Sequence, residues 1–238
     1  MRTEDGGDTW EISVATNEDD QLFFDLIKLA APTEQVAWAI AREGDWAGLF
    51  MTEDGGENWE VRADDLPETS PVTDRPDRVR DLVFTDEDNG LLVGRSGAIF
   101  RTDDGGASWD LAEHPFSDSN NEHLESISFG STTGYIGGPD GLIITSTDGG
   151  ATWEEDDEIS MPPGNGSVDQ LHFVTDDVGW AKRGQGISLT VDGGNSWTLH
   201  LEGTTEEFWV PLINIHAIDE NRAWVVGNYG RLLRYISP

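Results

Sequence analysis

Thr102-Asp103-Asp104-Gly105-Gly106-Ala107-Ser108-Trp109 is the stretch that decides the fold. The same phrase stands at Thr3-Glu4-Asp5-Gly6-Gly7-Asp8-Thr9-Trp10 and at Thr52-Glu53-Asp54-Gly55-Gly56-Glu57-Asn58-Trp59. It returns as Ser146-Thr147-Asp148-Gly149-Gly150-Ala151-Thr152-Trp153 and as Thr190-Val191-Asp192-Gly193-Gly194-Asn195-Ser196-Trp197. Successive Asp positions lie 49, 50, 44 and 44 residues apart. A fixed period of that length marks a repeat architecture, and it matches one four-stranded propeller blade. The chemistry of the phrase is local. Its Asp carboxylate can accept backbone N–H groups across a tight turn. Its second Gly suits a left-handed backbone, and its Trp can fold back as an apolar plug. An EF-hand-like calcium loop needs several spaced oxygen ligands that the phrase lacks.

Between phrases one order of short apolar runs recurs. In the second repeat it reads Arg80–Phe84, Gly90–Gly94, a turn at Arg95-Ser96-Gly97, and Ala98–Thr102. Each run has strand length and is bounded by Gly, Asp or Asn. Trp38, Leu91, Tyr135, Trp180 and Trp224 align at one second-strand position, which points to packing between blades. The expected architecture is therefore all-β: a single five-bladed β-propeller of four-stranded antiparallel blades. Four blades cover about residues 21–62, 78–112, 123–156 and 167–201. The fifth is composite, 210–238 plus 1–14, so that pairing of N- and C-terminal strands closes the ring and hides two edges.

Composition narrows the function. There are 47 acidic and 14 basic residues, a formal net charge of −33, spread over every segment of the chain. Such a surface repels phosphate backbones, so nucleic acid is not an expected partner. Only Lys28 and Lys182 are lysines. An acid-rich, lysine-poor surface resembles proteins adapted to high salt, which screens self-repulsion. Cysteine is absent, removing disulfides and thiol chemistry. No membrane span is expected, since no run of 18 apolar residues occurs. Met1–Asp5 has no apolar leader character, which reads as cytoplasmic, or as extracellular if a leader has been trimmed. The expected state is a monomer.

The phrase S/T-x-D-x-G-x-S/T-W is the Asp-box, or BNR repeat; only Asn58 departs from it. Gly90–Trp109, Gly134–Trp153 and Gly179–Trp197 resemble the repeats of photosystem II assembly factors of the Ycf48/HCF136 type, within a wider group of sialidase-like propellers. The resemblance spans nearly the whole chain. It implies that Asp5, Trp10, Asp54, Trp59, Asp104, Trp109, Asp148, Trp153, Asp192 and Trp197 are structural. It also implies that each box joins a blade's third and fourth strands away from the central site. It speaks to fold more than to function.

Catalytic patterns are weak. The sialidase Arg-Ile/Leu-Pro motif has no match, since Asp74-Arg75-Pro76 lacks the middle apolar residue. Of three tyrosines, Tyr135 aligns with packing aromatics and Tyr235 precedes the C-terminus, leaving Tyr229 as a site residue. Asp25, Asp81, Glu125 and Asp169 fall near matched first-strand positions, but nothing assigns acid and base roles among them. His114, His123, His172, His200 and His216 lack metal-site spacing, although His172 and His216 occupy near-equivalent places in neighbouring blades. No catalytic residue, metal or cofactor is assigned. The sharper clue is the turns between second and third strands. There Arg42, Arg95 and Arg183 take matching places, with Trp46 and Tyr229 in the same set of turns. An Arg fork suits carboxylates and aromatics add stacking area. The expected function is a non-catalytic scaffold recognising a protein, a peptide or a small anionic ligand at the propeller funnel. The alternatives are a sialidase-like glycoside hydrolase and a structural module of a larger cell-surface protein.

Overall fold

Short apolar runs punctuated by Gly, Asp and Asn become strands and tight turns, and no α-helix occurs among the described residues. The structure, a computed structural model, describes residues 8–9, 25–43, 46–62, 79–116, 123–202 and 212–236. The chain divides into two compact units, Met1–Leu111 and Ala112–Pro238. In the first unit, β1 (Asp25–Ala30), β2 (Ala37–Glu43), β3 (Trp46–Thr52) and β4 (Glu60–Val61) form one antiparallel meander. A second is made by β5 (Val79–Phe84), β6 (Gly90–Gly94), β7 (Ile99–Thr102) and β8 (Asp110–Leu111). The second unit holds β9 (Ser126–Phe129), β10 (Gly134–Gly137), β11 (Ile143–Ser146) and β12 (Glu154–Glu155). It continues with β13 (Val168–Phe173), β14 (Gly179–Arg183), β15 (Gly186–Thr190) and β16 (Thr198–Glu202). It ends with β17 (Leu212–Asp219), β18 (Arg222–Gly227) and β19 (Arg231–Ile236). The fold class is all-β, a five-bladed β-propeller whose fifth blade shows three strands among the described residues. The strand expected beside β19, residues 10–14, lies outside them, as do Asp5 and Trp10.

Burial follows strand position. All five residues of β6 and of β15 are buried, as a sheet covered on both faces requires. Three outermost strands, β4, β8 and β12, have two residues each, all exposed, whereas β16 has five. Short edges of this kind offer little template for pairing with another chain. The aligned second-strand aromatics pack onto the next sheet of their own unit. Trp38 meets Trp109 edge-on at 5.8 Å and stacks on Phe84 at 6.0 Å. Tyr135 stacks on Phe173 with centroids 3.5 Å apart, and its hydroxyl donates to the Asp176 carbonyl at 2.7 Å. Burial first, and then the charge of Asp176, pushes that phenol up to about 12. Trp180 packs against Tyr235 and donates Nε1–H to the Asp219 carbonyl at 3.3 Å. First strands are also stitched together. The N–H groups of Leu171 and Phe173 on β13 donate to the Ser126 and Ser128 hydroxyls of β9, at 3.0 and 2.8 Å. Two backbone donors that would otherwise be buried unpaired are thereby satisfied.

The four described copies of the repeated phrase form one turn. In the second sheet, the Thr102 hydroxyl donates to Asp104 Oδ1 at 2.8 Å and accepts the Gly106 N–H at 2.8 Å. Asp104 then accepts the Ser108 N–H at 2.9 Å and the Ser108 hydroxyl at 2.7 Å. The same set recurs around Asp54, Asp148 and Asp192. Asn58 keeps the pattern by donating its amide to Asp54 at 2.7 Å. Hydrogen bonds to the ionised form favour it. The Asn58 N–H, followed by its side-chain amide, lowers Asp54 to about 2, and the Thr152 N–H, followed by its hydroxyl, does the same for Asp148. Gly106 shows why the second Gly is needed. Its φ is +91°, and an added Cβ would lie 2.2 Å from the Trp38 ring. Trp109 and Trp153 are buried, whereas Trp59 and Trp197 are half-buried.

Candidate functional site

The third strand of a blade has two ends. One enters the repeated phrase; the other begins at the turn from the second strand, where the sequence points to a site. In the first unit, Arg42 sits on β2 opposite Ala47, and Trp46 opens β3 opposite Glu43. The side chains of Arg42 and Trp46 lie outside the described residues. Arg95 follows β6 and is half-buried, ahead of Ser96 at φ +62° and Gly97 at +71°. In the second unit the matching turns are Pro139–Gly141, the end of β14 at Arg183, and Asn228–Gly230. Asp140 and Tyr229 take φ of +53° and +57°, each followed by a left-handed Gly. Tyr229 is 94% exposed.

Arg183 is committed to the backbone. Its Nε–H donates to the Gly166 carbonyl at 3.0 Å, Nη1 to the Pro162 carbonyl at 3.0 Å and Nη2 to the Asp140 carbonyl at 3.1 Å. It ties the loop before β13 to the turn before β11. The sequence suggests a carboxylate ligand for Arg183; its geometry gives it three carbonyls.

The first-strand carboxylates also have partners. Asp81 is 1% exposed, takes Lys28 Nζ at 2.7 Å and accepts the Leu82 N–H at 2.8 Å. Asp169 holds Lys182 Nζ at 2.6 Å. The only two lysines of the chain thus each serve a first-strand aspartate. The Asp25 side chain lies outside the described residues. His172 and His216 come together, with ring centroids 4.7 Å apart, and His172 Nε2 donates to the Ala217 carbonyl at 2.9 Å. Among the described residues no cluster of three or more His, Cys, Asp or Glu could hold a metal ion.

Two concavities lie within the second unit. An apolar cleft of about 260 Å³ is lined by residues including Trp180, His200, Leu233 and Tyr235, where burial lowers the His200 imidazole. A larger groove of about 550 Å³ runs along Pro139–Ile143 and the segment after β12, with Phe116 and Met161 in its lining. The repeated phrase does not announce this groove. Much of its lining comes from connectors outside the repeat, and the one legible trace was Pro139-Asp140-Gly141 in the matched turn.

Known proteins resemble this chain along nearly its full length. The model of the photosynthesis system II assembly factor YCF48 family matches residues 70–166. The photosystem II assembly lipoprotein Ycf48 of Synechococcus sp. (strain CC9902) is 36% identical over 241 residues, 99% of this chain and 65% of that protein. The chloroplastic photosystem II stability/assembly factor HCF136 of Arabidopsis thaliana is 28% identical over 257 residues, 98% of this chain and 59% of that protein. The chain therefore spans about three-fifths of the length of these relatives. A solved structure of YCF48 bound to D1 peptide aligns with a TM-score of 0.56 at 17% identity, covering 98% of this chain and 85% of that one. Repeats, sheet order and these matches agree: the chain is a Ycf48-like β-propeller.

Proposed function

We propose that this chain is a non-catalytic scaffold that binds a protein or peptide partner. The observation that carries the reading is the match of 98–99% of the chain to proteins named as photosystem II assembly factors. The YCF48 that shares the fold was solved with a peptide, which supports a peptide-sized partner here. The chemistry of the repeat agrees with this. The box carboxylates are spent on their own turns, and Asp81 and Asp169 on the two lysines. Arg42, Trp46, Arg95 and Tyr229 are the side chains we assign to partner contact, with Arg42 and Arg95 recognising carboxylates. Arg183 holds the neighbouring loops in shape. The net charge of −33 is read as adaptation to concentrated salt.

Two experiments test this. Crosslinking and affinity capture in molar KCl should recover one stoichiometric partner, lost from an Arg42→Ala, Arg95→Ala double variant that keeps its fold. A panel of fluorogenic glycosides should stay intact; turnover abolished by removing one carboxylate would replace the scaffold reading with a hydrolase. In parallel, the melting temperature should rise between dilute and molar KCl, and a flat response would remove the salt-adaptation reading.

A further inference from the structure

The groove of the second unit is preformed. One wall is Pro139–Gly141 with Leu142 and Ile143, the other includes Asp156, Asp157, Ile159, Ser160 and Met161, and Phe116 joins the lining. Arg183 bonds both the Asp140 carbonyl and the Pro162 carbonyl, so it spans the two walls. Ser160 is fixed independently. Its N–H and hydroxyl donate to the Gly194 carbonyl at 2.9 and 3.2 Å, and its own carbonyl accepts Trp197 Nε1–H at 3.0 Å. Walls held in this way bind without paying for loop ordering. A volume of about 550 Å³ falls in the range of roughly 300–1,000 Å³ typical of ligand sites.

The lining has two characters. Phe116, Leu142, Ile143, Ile159 and Met161 are apolar, and Met161 is 59% exposed. Every charged residue in the lining is an acid: Asp140, Glu155, Asp156 and Asp157. None has an ion-pair partner among the described residues, whereas Asp81, Asp169 and Asp219 each hold a cation of their own. The Arg183 guanidinium, which bonds the Asp140 carbonyl of one wall, has its N–H groups turned to three carbonyls rather than to these carboxylates. Unpaired carboxylates beside exposed apolar surface repel one another until a cation arrives, and the apolar lining stays wet until a side chain covers it. A polybasic chain satisfies only the first demand and an acidic apolar peptide only the second.

We infer that this groove binds an extended peptide segment in which a Lys or Arg side chain sits beside an apolar one. The inference rests on the scaffold reading and names the partner chemistry for one surface. The probe is a labelled hexapeptide alternating lysine and leucine, titrated by fluorescence anisotropy in molar KCl, where long-range attraction is screened to about 3 Å. Binding should weaken about tenfold or more for D140N/E155Q/D157N and for M161S. It should change by less than about twofold for E53Q/E87Q/D88N, which removes as much charge from exposed turns of the first unit. A lysine–serine hexapeptide should bind about tenfold more weakly than the lysine–leucine one. Melting curves for every variant confirm that the fold is intact. Absence of binding, equal loss from the first-unit variant, equal affinity for the lysine–serine peptide, or indifference to the groove variants would each overturn the groove assignment. The scaffold reading is judged separately, by capture of a partner through Arg42 and Arg95.

Discussion

The two ends of the third strand differ in what they repeat. At the box end of β3, β7, β11 and β15, side chains and hydrogen bonds recur together. At the other end, ahead of β7, β11 and β19, a backbone conformation recurs while the side chains it carries change; ahead of β15 only Gly184 is left-handed. Ser96-Gly97, Asp140-Gly141 and Tyr229-Gly230 share a left-handed pair of residues, with φ values of 62° and 71°, 53° and 88°, and 57° and 72°. The first residue of the pair changes from hydroxyl to carboxylate to phenol. A left-handed conformation costs a non-Gly residue roughly 1–2 kcal/mol, least for Asp or Asn. The turn fixes where the side chain stands without fixing what it is. One end of the blade is therefore architecture, and the other is where function can vary.

The largest loss of stability is expected at the box tryptophans. Trp109 is 3% exposed, within a cluster with Trp38 and Phe84. Trp109→Ala should cost about 3–5 kcal/mol in chemical denaturation. Half-buried Trp59→Ala should cost visibly less. A loss under about 1 kcal/mol at Trp109 would mean that the ring is no core plug.

The sequence disclosed these elements unevenly, and the reason is physical. Asp104, Gly106 and Trp109 act within one turn, so their spacing is written in consecutive residues. Trp38, Tyr135 and Trp180 align because, within its own unit, each packs onto the sheet that follows. The engagement of Arg183 was not legible, because carbonyls of Asp140, Pro162 and Gly166 have no side-chain signature. The Lys28–Asp81 pair joins two sheets and follows no period. Phe116 and Met161 lie in connectors, so nothing in the repeat announces the groove between them.

A smaller effect sharpens the box end. Asp148→Ala removes an acceptor for the Thr152 N–H and hydroxyl and should cost about 1 kcal/mol at neutral pH, by analogy with lost helix caps. The folded carboxyl lies near 2, below its ordinary 3.8. A depressed folded value gives stability that is present above the unfolded pKa and lost as pH falls through the folded one. The gap between wild type and Asp148→Ala should therefore shrink from pH 4 toward pH 2. The difference between the two proteins is the proper readout, because protonating other acids relieves self-repulsion in both. A carboxyl-carbon NMR titration of Asp148 with its midpoint near 4 would break the account.

The smallest effect on stability is expected at the variable end, and it discriminates most. Tyr229 is 94% exposed and left-handed. Its ring buries little in this fold, and a bulky residue with positive φ is strained unless something else retains it. Tyr229→Gly removes that strain and adds backbone freedom to the unfolded chain, terms of opposite sign and about 1 kcal/mol each. Stability should change by less than about 0.5 kcal/mol in denaturant. Partner capture should nevertheless weaken, because an exposed ring on a fixed turn supplies contact area at low entropic cost. A destabilisation above about 1 kcal/mol with capture unchanged would move Tyr229 to the architectural side. The two ends of the blade would then differ in sequence alone.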